Sequence, residues 1–105
     1  MALRIKNTTQ TNKGETTGLY FHISEYYRNK SGQCQFPVVY FKDDSKEDKV
    51  EIFYGNLKKK YEFKLTEDEI GSDKFESIAY GKIIEELKLA DFQVESDVTG
   101  AWTAV

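Results

Sequence analysis

Residues 72–89, SDKFESIAYGKIIEELKL, form the stretch with clear helical periodicity, and the chain before them reads as short strands. At 100° per residue, four apolar side chains form a continuous stripe: Phe75, Ala79, Ile83 and Leu87. Ile78 and Leu89 widen the stripe on one side, and Tyr80 and Ile84 widen it on the other. A helix on one sheet needs an apolar arc of a little over about 100°, and this arc is roughly twice as wide. We therefore expect the helix to touch a second surface as well as its own sheet.

Length and composition indicate one small domain, residues 1–105. The net charge of −3 removes any bulk attraction to nucleic acid or to an anionic membrane. Seven Tyr and seven Phe against one Pro are typical of half-buried strands and of interfaces. The chain opens without an apolar run, and no stretch reaches the roughly 20 apolar residues of a membrane span, so we expect neither a secretory signal nor a membrane segment. The single cysteine excludes an internal disulfide and a cysteine-based zinc cluster.

Most of the first half of the chain is predicted as strands. Residues 1–13 are weakly patterned and fit an edge strand or an extended arm. Residues 19–28 and 33–42 alternate strongly, with a hairpin loop between them. Pro37 cannot donate to a ladder, which favours an edge position or a bulge.

The second half is predicted to begin with a hairpin and to continue into the helix. Residues 50–54 and 57–65 would pair through a two-residue Gly55-Asn56 turn. Thr66 and Glu69 fit a capping box for a short helical turn, and Ser72 fits the N-cap of the long helix.

The chain ends in a predicted strand and a tail. Residues 90–98 would hold the last strand. Residues 99–105 are uncharged and contain the single tryptophan, Trp102. Such a tail is normally frayed unless it docks, so we expect it to become ordered against another subunit. The elements together predict an α+β fold, with an antiparallel β-sheet or small β-sandwich of five to six strands and one packed amphipathic helix.

The sequence contains no recognisable catalytic or cofactor-binding motif. His22 and Ser24 share a strand face, about 6.5–7 Å apart, which is too far for a nucleophile and its base to bond directly. Cys34 alternates into an apolar face and is predicted to be a buried, inert thiol. Residues 43–48 are acidic but lack the spacing and the glycine of a calcium loop. We therefore predict a protein that is not an enzyme and has no cofactor and no metal.

Two further features have more than one interpretation. From Lys58 to Lys64, lysines alternate with aromatic residues, as in single-strand nucleic-acid binders. Because the alternation puts lysines and aromatics on opposite faces, a solvated strand is favoured over a nucleic-acid site. Gly81 lies in mid-helix, either as a tolerated defect or to permit the close approach of another backbone.

The chain resembles the small structural proteins encoded in the morphogenesis clusters of tailed bacteriophages. The resemblance covers the overall pattern of most of the chain: a short polar start (MALRIKNTTQTNKGE), an aromatic strand at residues 19–27, a helix at residues 79–87, and small residues around Trp102. It implies a virion component of the tail, the baseplate or the head decoration that works through repeated protein–protein contacts.

The favoured function is therefore a non-enzymatic structural assembly protein of a bacteriophage virion, which forms a homo-oligomer or binds other virion proteins. We expect it in the virion, which is assembled in the host cytoplasm. The alternatives are a cytoplasmic protein-binding module or inhibitor that uses a sheet edge, and a nucleic-acid-binding accessory protein that uses the strand from Lys58 to Lys64. No membrane or nucleic-acid partner is expected. Six residues are predicted at the protein interface: Tyr80, Ile84, Leu87, Trp102, Tyr26 and Tyr27.

Overall fold

The computed structural model describes residues 1–29, 31–52 and 57–105. These residues form an α+β fold with an eight-stranded, antiparallel sheet and two helices. The strands are β1 (Leu3–Thr11), β2 (Gly14–Ile23), β3 (Tyr27–Arg28), β4 (Gln33–Phe41), β5 (Lys49–Val50), β6 (Lys60–Lys64), β7 (Val94–Ser96) and β8 (Thr103–Ala104), and the helices are α1 (Glu67–Ile70) and α2 (Phe75–Leu89). The predicted fold class is confirmed. The strand number is higher than predicted because three of the eight strands are only two residues long.

Strand β4 lies at the centre of the sheet. The strand order is β3-β4-β2-β1-β7-β8, and β5 and β6 also pair with β4. Tyr40 pairs with both Phe21 of β2 and Val50 of β5, so β4 has partners on both sides. Pro37 is therefore not at an edge, as one prediction held. It lies where the partner of β4 changes from β2 to β3, and its carbonyl accepts a hydrogen bond from the backbone N–H of Ser24 (2.9 Å).

The first strand is part of the sheet and not an extended arm. Residues 3–5 of β1 pair with both β2 and β7, so this end is not an edge strand either. Leu3 and Ile5 are fully buried there. Their period-two alternation with two basic residues was therefore the useful signal in a weakly patterned segment.

The described part of the hairpin predicted for residues 50–54 and 57–65, namely residues 50–52 and 57–65, does not pair as predicted. Val50 pairs with Tyr40 of β4, and Ile52 forms a bridge with Thr11 at the end of β1. Strand β6 pairs with the other half of β4. The predicted Gly55-Asn56 turn lies outside the described residues.

The caps of the two helices differ. The capping box of α1 is confirmed, since the N–H of Glu69 donates to Thr66 Oγ1 (3.1 Å) and the N–H of Thr66 donates to Glu69 Oε1 (3.0 Å). Ser72 is not the N-cap of α2. Its hydroxyl oxygen accepts from the backbone N–H of Lys74 (3.0 Å) in a separate turn, and the helix begins at Phe75.

The sheet curls around α2, so that this one helix contacts strands far apart in the strand order, β6 and β7. Four helix residues are buried within the chain: Ala79, Tyr80, Ile83 and Leu87. Ile84 and Phe75 are half-buried. The chain's own strands therefore cover the centre of the apolar arc, while Ile84 stays half-buried and Leu89 is exposed. The expectation that this flank touches a second protein surface stays a prediction.

The C-terminal tail docks on the chain's own sheet. Residues 103–104 form β8 and pair with Ser96 and Glu95 of β7. The side chain of Trp102 is half-buried, and the Arg4 guanidinium lies over its ring, 4.2 Å from the ring centroid. Arg4 Nε is in turn 3.0 Å from Glu95 Oε1. The expectation that the tail needs another subunit to become ordered is contradicted by these contacts.

Replacing Gly81 with alanine is expected to stabilise the protein. This glycine lies on the exposed side of α2, and a Cβ built there meets nothing within 4 Å, so it is a tolerated defect. We expect Gly81→Ala to raise the free energy of unfolding by about 0.5–1 kcal/mol, because alanine loses less backbone entropy in a helix. Chemical denaturation measures this change. The matched control is Gly18→Ala, where φ is +77° and we expect a loss of about 1–2 kcal/mol. A destabilised Gly81→Ala would contradict the prediction.

Candidate functional site

Among the tyrosines that the structure describes, Tyr26, in the loop between β2 and β3, is the most exposed. Its side chain is 60% exposed, and its ring meets Phe75 edge-on at a centroid distance of 5.0 Å. Phe36 lies behind, 6.5 Å from Tyr26 and 5.7 Å from Phe75. Three aromatic rings from three different elements therefore converge at one point on the surface.

Hydrogen bonds at the end of β2 position this loop. The backbone N–H of Ile23, the last residue of β2, donates to the hydroxyl oxygen of Tyr80 (2.9 Å). The next residue, Ser24, donates its N–H to the carbonyl of Pro37. The chain then passes through Tyr26 and re-enters the sheet as β3, which is anchored by the pairing of Tyr27 with Gln35. These contacts hold Tyr26 next to the part of β4 that contains Phe36.

The aromatic rings border a cleft of about 290 Å³, called here the Tyr26 cleft. Its lining residues are Ile23, Tyr26, Phe36, Asp73, Phe75 and Glu76. Phe36 is almost completely buried and forms the fixed part of the wall, whereas Tyr26 remains largely exposed. A concave, mostly apolar site with a few polar groups is the usual form of a binding site.

The two charged side chains that line the Tyr26 cleft are acidic. Asp73 and Glu76 are exposed, and the ion pairs among the described residues involve neither of them. They lie at the N-terminal end of α2, whose dipole is equivalent to roughly half a positive charge. Two carboxylates outweigh that partial charge, so the rim of the cleft is negative.

The structure separates the six predicted interface residues. Tyr26 and Tyr27 are exposed, and Tyr27 is 52% accessible. Tyr80 and Leu87 are buried inside the chain, which removes both from the candidate surface. Ile84 is half-buried on α2, and Trp102 is half-buried against Arg4 on another strand.

Tyr80 is buried because its hydroxyl has partners within the chain. It accepts from the N–H of Ile23 and donates to the carbonyl of Met1 (3.0 Å). Burial raises the pKa of Tyr80 to about 12. The helical arc alone could not distinguish this core tyrosine from an interface tyrosine, because both types have an apolar ring and a polar tip.

Sequence reasoning missed the partners of Tyr26 in the cleft. The contact with Phe36 could have been found, because continuing the pairing of the predicted strands 19–28 and 33–42 places Tyr26 next to Phe36. The contribution of Phe75 and of the acidic rim depends on where α2 begins relative to β3. Nothing in the local sequence specifies that long-range packing.

The other residues singled out in the sequence have structural roles. His22 stacks on Phe41 with ring centroids 5.6 Å apart, and its Nδ1 is 3.1 Å from the carbonyl oxygen of Ile23. Cys34 is buried as predicted, and burial raises the pKa of its thiol. In the acidic loop, Asp43 accepts a hydrogen bond from the backbone N–H of Ser45 (3.0 Å). Across residues 1–29, 31–52 and 57–105, no group of His, Cys, Asp and Glu could hold a metal ion.

The lysine-rich stretch has the predicted separation of faces within β6, but the prediction is wrong for Lys58, whose ammonium lies 5.8 Å from the centroid of the Tyr61 ring. Tyr61 is buried under α2, whereas Lys60 and Lys64 are exposed on the opposite face of β6. Lys60 is 3.3 Å from Glu62, and Lys58 forms an ion pair with Glu86 of α2. The exposed lysines of β6 and the buried Tyr61 ring thus lie on opposite faces, which is unlike the single surface of cations and stacking aromatics in single-strand binders.

No family model, no curated protein and no solved structure matches this chain. Of the helices in the described part of the chain, none combines the length and the apolar character needed to cross a membrane.

Proposed function

We propose that this chain is a non-enzymatic structural subunit that assembles with other proteins through the Tyr26 cleft. The observation that supports the proposal is the exposure of Tyr26 at the wall of a preformed aromatic cleft. Large exposed aromatic side chains on a small domain are costly to leave in water, and tyrosine is enriched at the centres of protein interfaces. The loop that carries Tyr26 is held by backbone hydrogen bonds, so little order would have to be gained on binding.

A role in a bacteriophage virion is the narrower form of this proposal. It rests on the resemblance of the sequence to small proteins of tailed-phage morphogenesis clusters. A subunit of that kind needs contacts with several neighbours, and the Tyr26 cleft supplies one candidate contact. The partner would be another copy of the chain or another virion protein.

Binding by addition of a strand to a sheet edge is less favoured. Three edge strands matter here: β3 and β8 contain two residues each, and β6, which pairs only with β4 among the described strands, contains five, including Lys60, Glu62 and Lys64. The short edges offer few backbone hydrogen bonds to an incoming strand, and charged side chains on an edge strand are a common protection against such pairing. A side-chain cleft is therefore the better candidate than a backbone edge.

The proposal predicts that Tyr26→Ser weakens association. Sedimentation velocity of the purified chain, alone and with the products of neighbouring genes, would measure the association constant. We expect Tyr26→Ser to lower it at least tenfold, corresponding to about 1.4 kcal/mol, because the central aromatic contact is lost.

The matched control is Leu89→Ser. Leu89 is the most exposed large apolar residue among those described, at 87%, and it lies at the far end of α2. We expect this variant to associate as the unchanged chain does. Absence of association under all conditions, or an equal loss in both variants, would contradict the proposed function.

A further inference from the structure

We propose that the Tyr26 cleft receives an arginine side chain from the partner protein. This inference rests on the proposed function and specifies the chemistry of the contact. The cleft combines apolar aromatic walls with a negative rim, and arginine is the side chain that matches both.

The aromatic walls fit the planar guanidinium group. A cation over the face of a tyrosine or phenylalanine ring is attracted by the ring quadrupole, and arginine does this more often than lysine. The chain already contains one such contact, where the Arg4 guanidinium lies 4.2 Å from the centroid of the Trp102 ring. In the Tyr26 cleft the exposed ring of Tyr26 has no such cation among the described residues.

The rim supplies the opposite charge. Asp73 and Glu76 line the cleft and are three residues apart, at the start of α2. Two carboxylates at this spacing lie on one side of a helix start, and the guanidinium group has enough donors to bond to both. The helix dipole opposes a cation here, but by only about half a charge against two.

The described basic residues of the chain do not line the Tyr26 cleft. Lys74 lies between the two acidic residues in sequence but does not line the cleft. Arg28, on the neighbouring strand β3, lines a separate polar depression with Asn29 and Glu67. The described part of the chain therefore places no cation of its own in the Tyr26 cleft.

The floor of the cleft fits the aliphatic part of arginine. Ile23 and Phe36 supply apolar surface below the rim. Long cationic side chains lay their methylene groups along apolar surface while the charged end stays near polar groups. A neutral aromatic or aliphatic side chain would fill this floor but would leave the two carboxylates without a partner.

A titration with short capped peptides tests the proposal. The probes are three tripeptides with glycine at both ends and a central arginine, lysine or citrulline, which is the neutral isostere of arginine. Chemical shifts of the isotopically labelled chain report binding residue by residue. We expect saturable shifts for the arginine peptide, confined to residues 23–26 and 73–76, and at least tenfold weaker binding of the other two peptides.

Charge variants complete the test. Neutralising the rim with Asp73→Asn and Glu76→Gln should weaken binding of the arginine peptide at least tenfold, whereas Glu85→Gln, on the exposed side of α2, should not change it. Equal binding of arginine and citrulline peptides, equal binding of the lysine peptide, shifts scattered over the surface, or no saturable shift would each overturn the proposal. If Tyr26→Ser weakens association in sedimentation but the neutralised rim does not, the arginine contact is wrong and the proposed function remains supported.

Discussion

Replacing Ile83 with alanine is expected to lower the free energy of unfolding by about 2–5 kcal/mol, the usual cost of truncating a large aliphatic side chain in a core. Ile83 is completely buried on the side of α2 that the curled sheet covers. The removed atoms lose their transfer free energy, and the packed surroundings cannot collapse fully into the space. Denaturant titration followed by circular dichroism measures the loss.

The adjacent residue provides the matched control. Ile84 has the same side chain in the same helix but is only half-buried. We expect Ile84→Ala to cost about 1 kcal/mol or less, because part of its surface remains in water in the folded state. Equal losses in Ile83→Ala and Ile84→Ala would contradict this prediction, because they would mean that the sheet covers both side chains to the same extent.

Alkaline pH is expected to lower the free energy of unfolding. Burial raises the pKa of Tyr80 to about 12 from the usual 10.0, and burial also raises the pKa of Tyr40 and Tyr61. Between pH 10 and 12 the unfolded chain loses phenolic protons that the folded chain still holds. Stability is therefore fully present below pH 10 and falls as the pH rises through this window.

The expected loss from Tyr80 alone is on the order of 1–2 kcal/mol after allowance for solvent screening. Denaturant titrations at a series of pH values would measure it, and ultraviolet absorbance would report phenolate formation. In Tyr80→Phe the dependence on pH should be shallower. The same variant should cost about 1–3 kcal/mol at neutral pH, because the N–H of Ile23 and the carbonyl of Met1 lose their partner. Tyr26→Phe, at an exposed position, serves as the control with little effect on either quantity. A pH dependence unchanged in Tyr80→Phe would contradict the assignment of that hydroxyl to the core.

Local patterns in the sequence predicted the elements well. Alternation identified the buried faces of β2, β4 and β6, and the 3.6-residue period identified α2. The capping box at Thr66 was predicted correctly because it depends on residues three positions apart. In each of these cases the neighbours in the chain carry the information.

Predictions that depended on long-range pairing were less successful. A two-residue turn signal suggested that residues 50–54 pair with residues 57–65, but β5 and β6 each pair with β4 instead. The pattern of apolar residues also did not specify the curvature of the sheet. That curvature decides whether the wide arc of α2 is covered by its own strands or by another protein, and it moved Tyr80 and Leu87 from the predicted interface into the core.

The candidate site was predictable in part. Tyr26 and Tyr27 were predicted at an interface from their type alone, and both are exposed. The acidic rim was not predicted, because Asp73 and Glu76 acquire a common role only when the start of α2 is placed beside Phe36. Convergence of three elements at one point is a property of the tertiary structure.

Hydroxyl-radical footprinting of the chain, free and in its associated state, tests most directly the claim that it assembles through the Tyr26 cleft. The method measures the solvent exposure of individual side chains, and the aromatic residues of the cleft are reactive reporters. The account predicts that association protects Tyr26 and Phe75 while Ile84 and Leu89 on α2 keep their free-state reactivity. Protection of Ile84 and Leu89 with Tyr26 unchanged, or no protection of any side chain at concentrations where neighbouring gene products are present in excess, would contradict it.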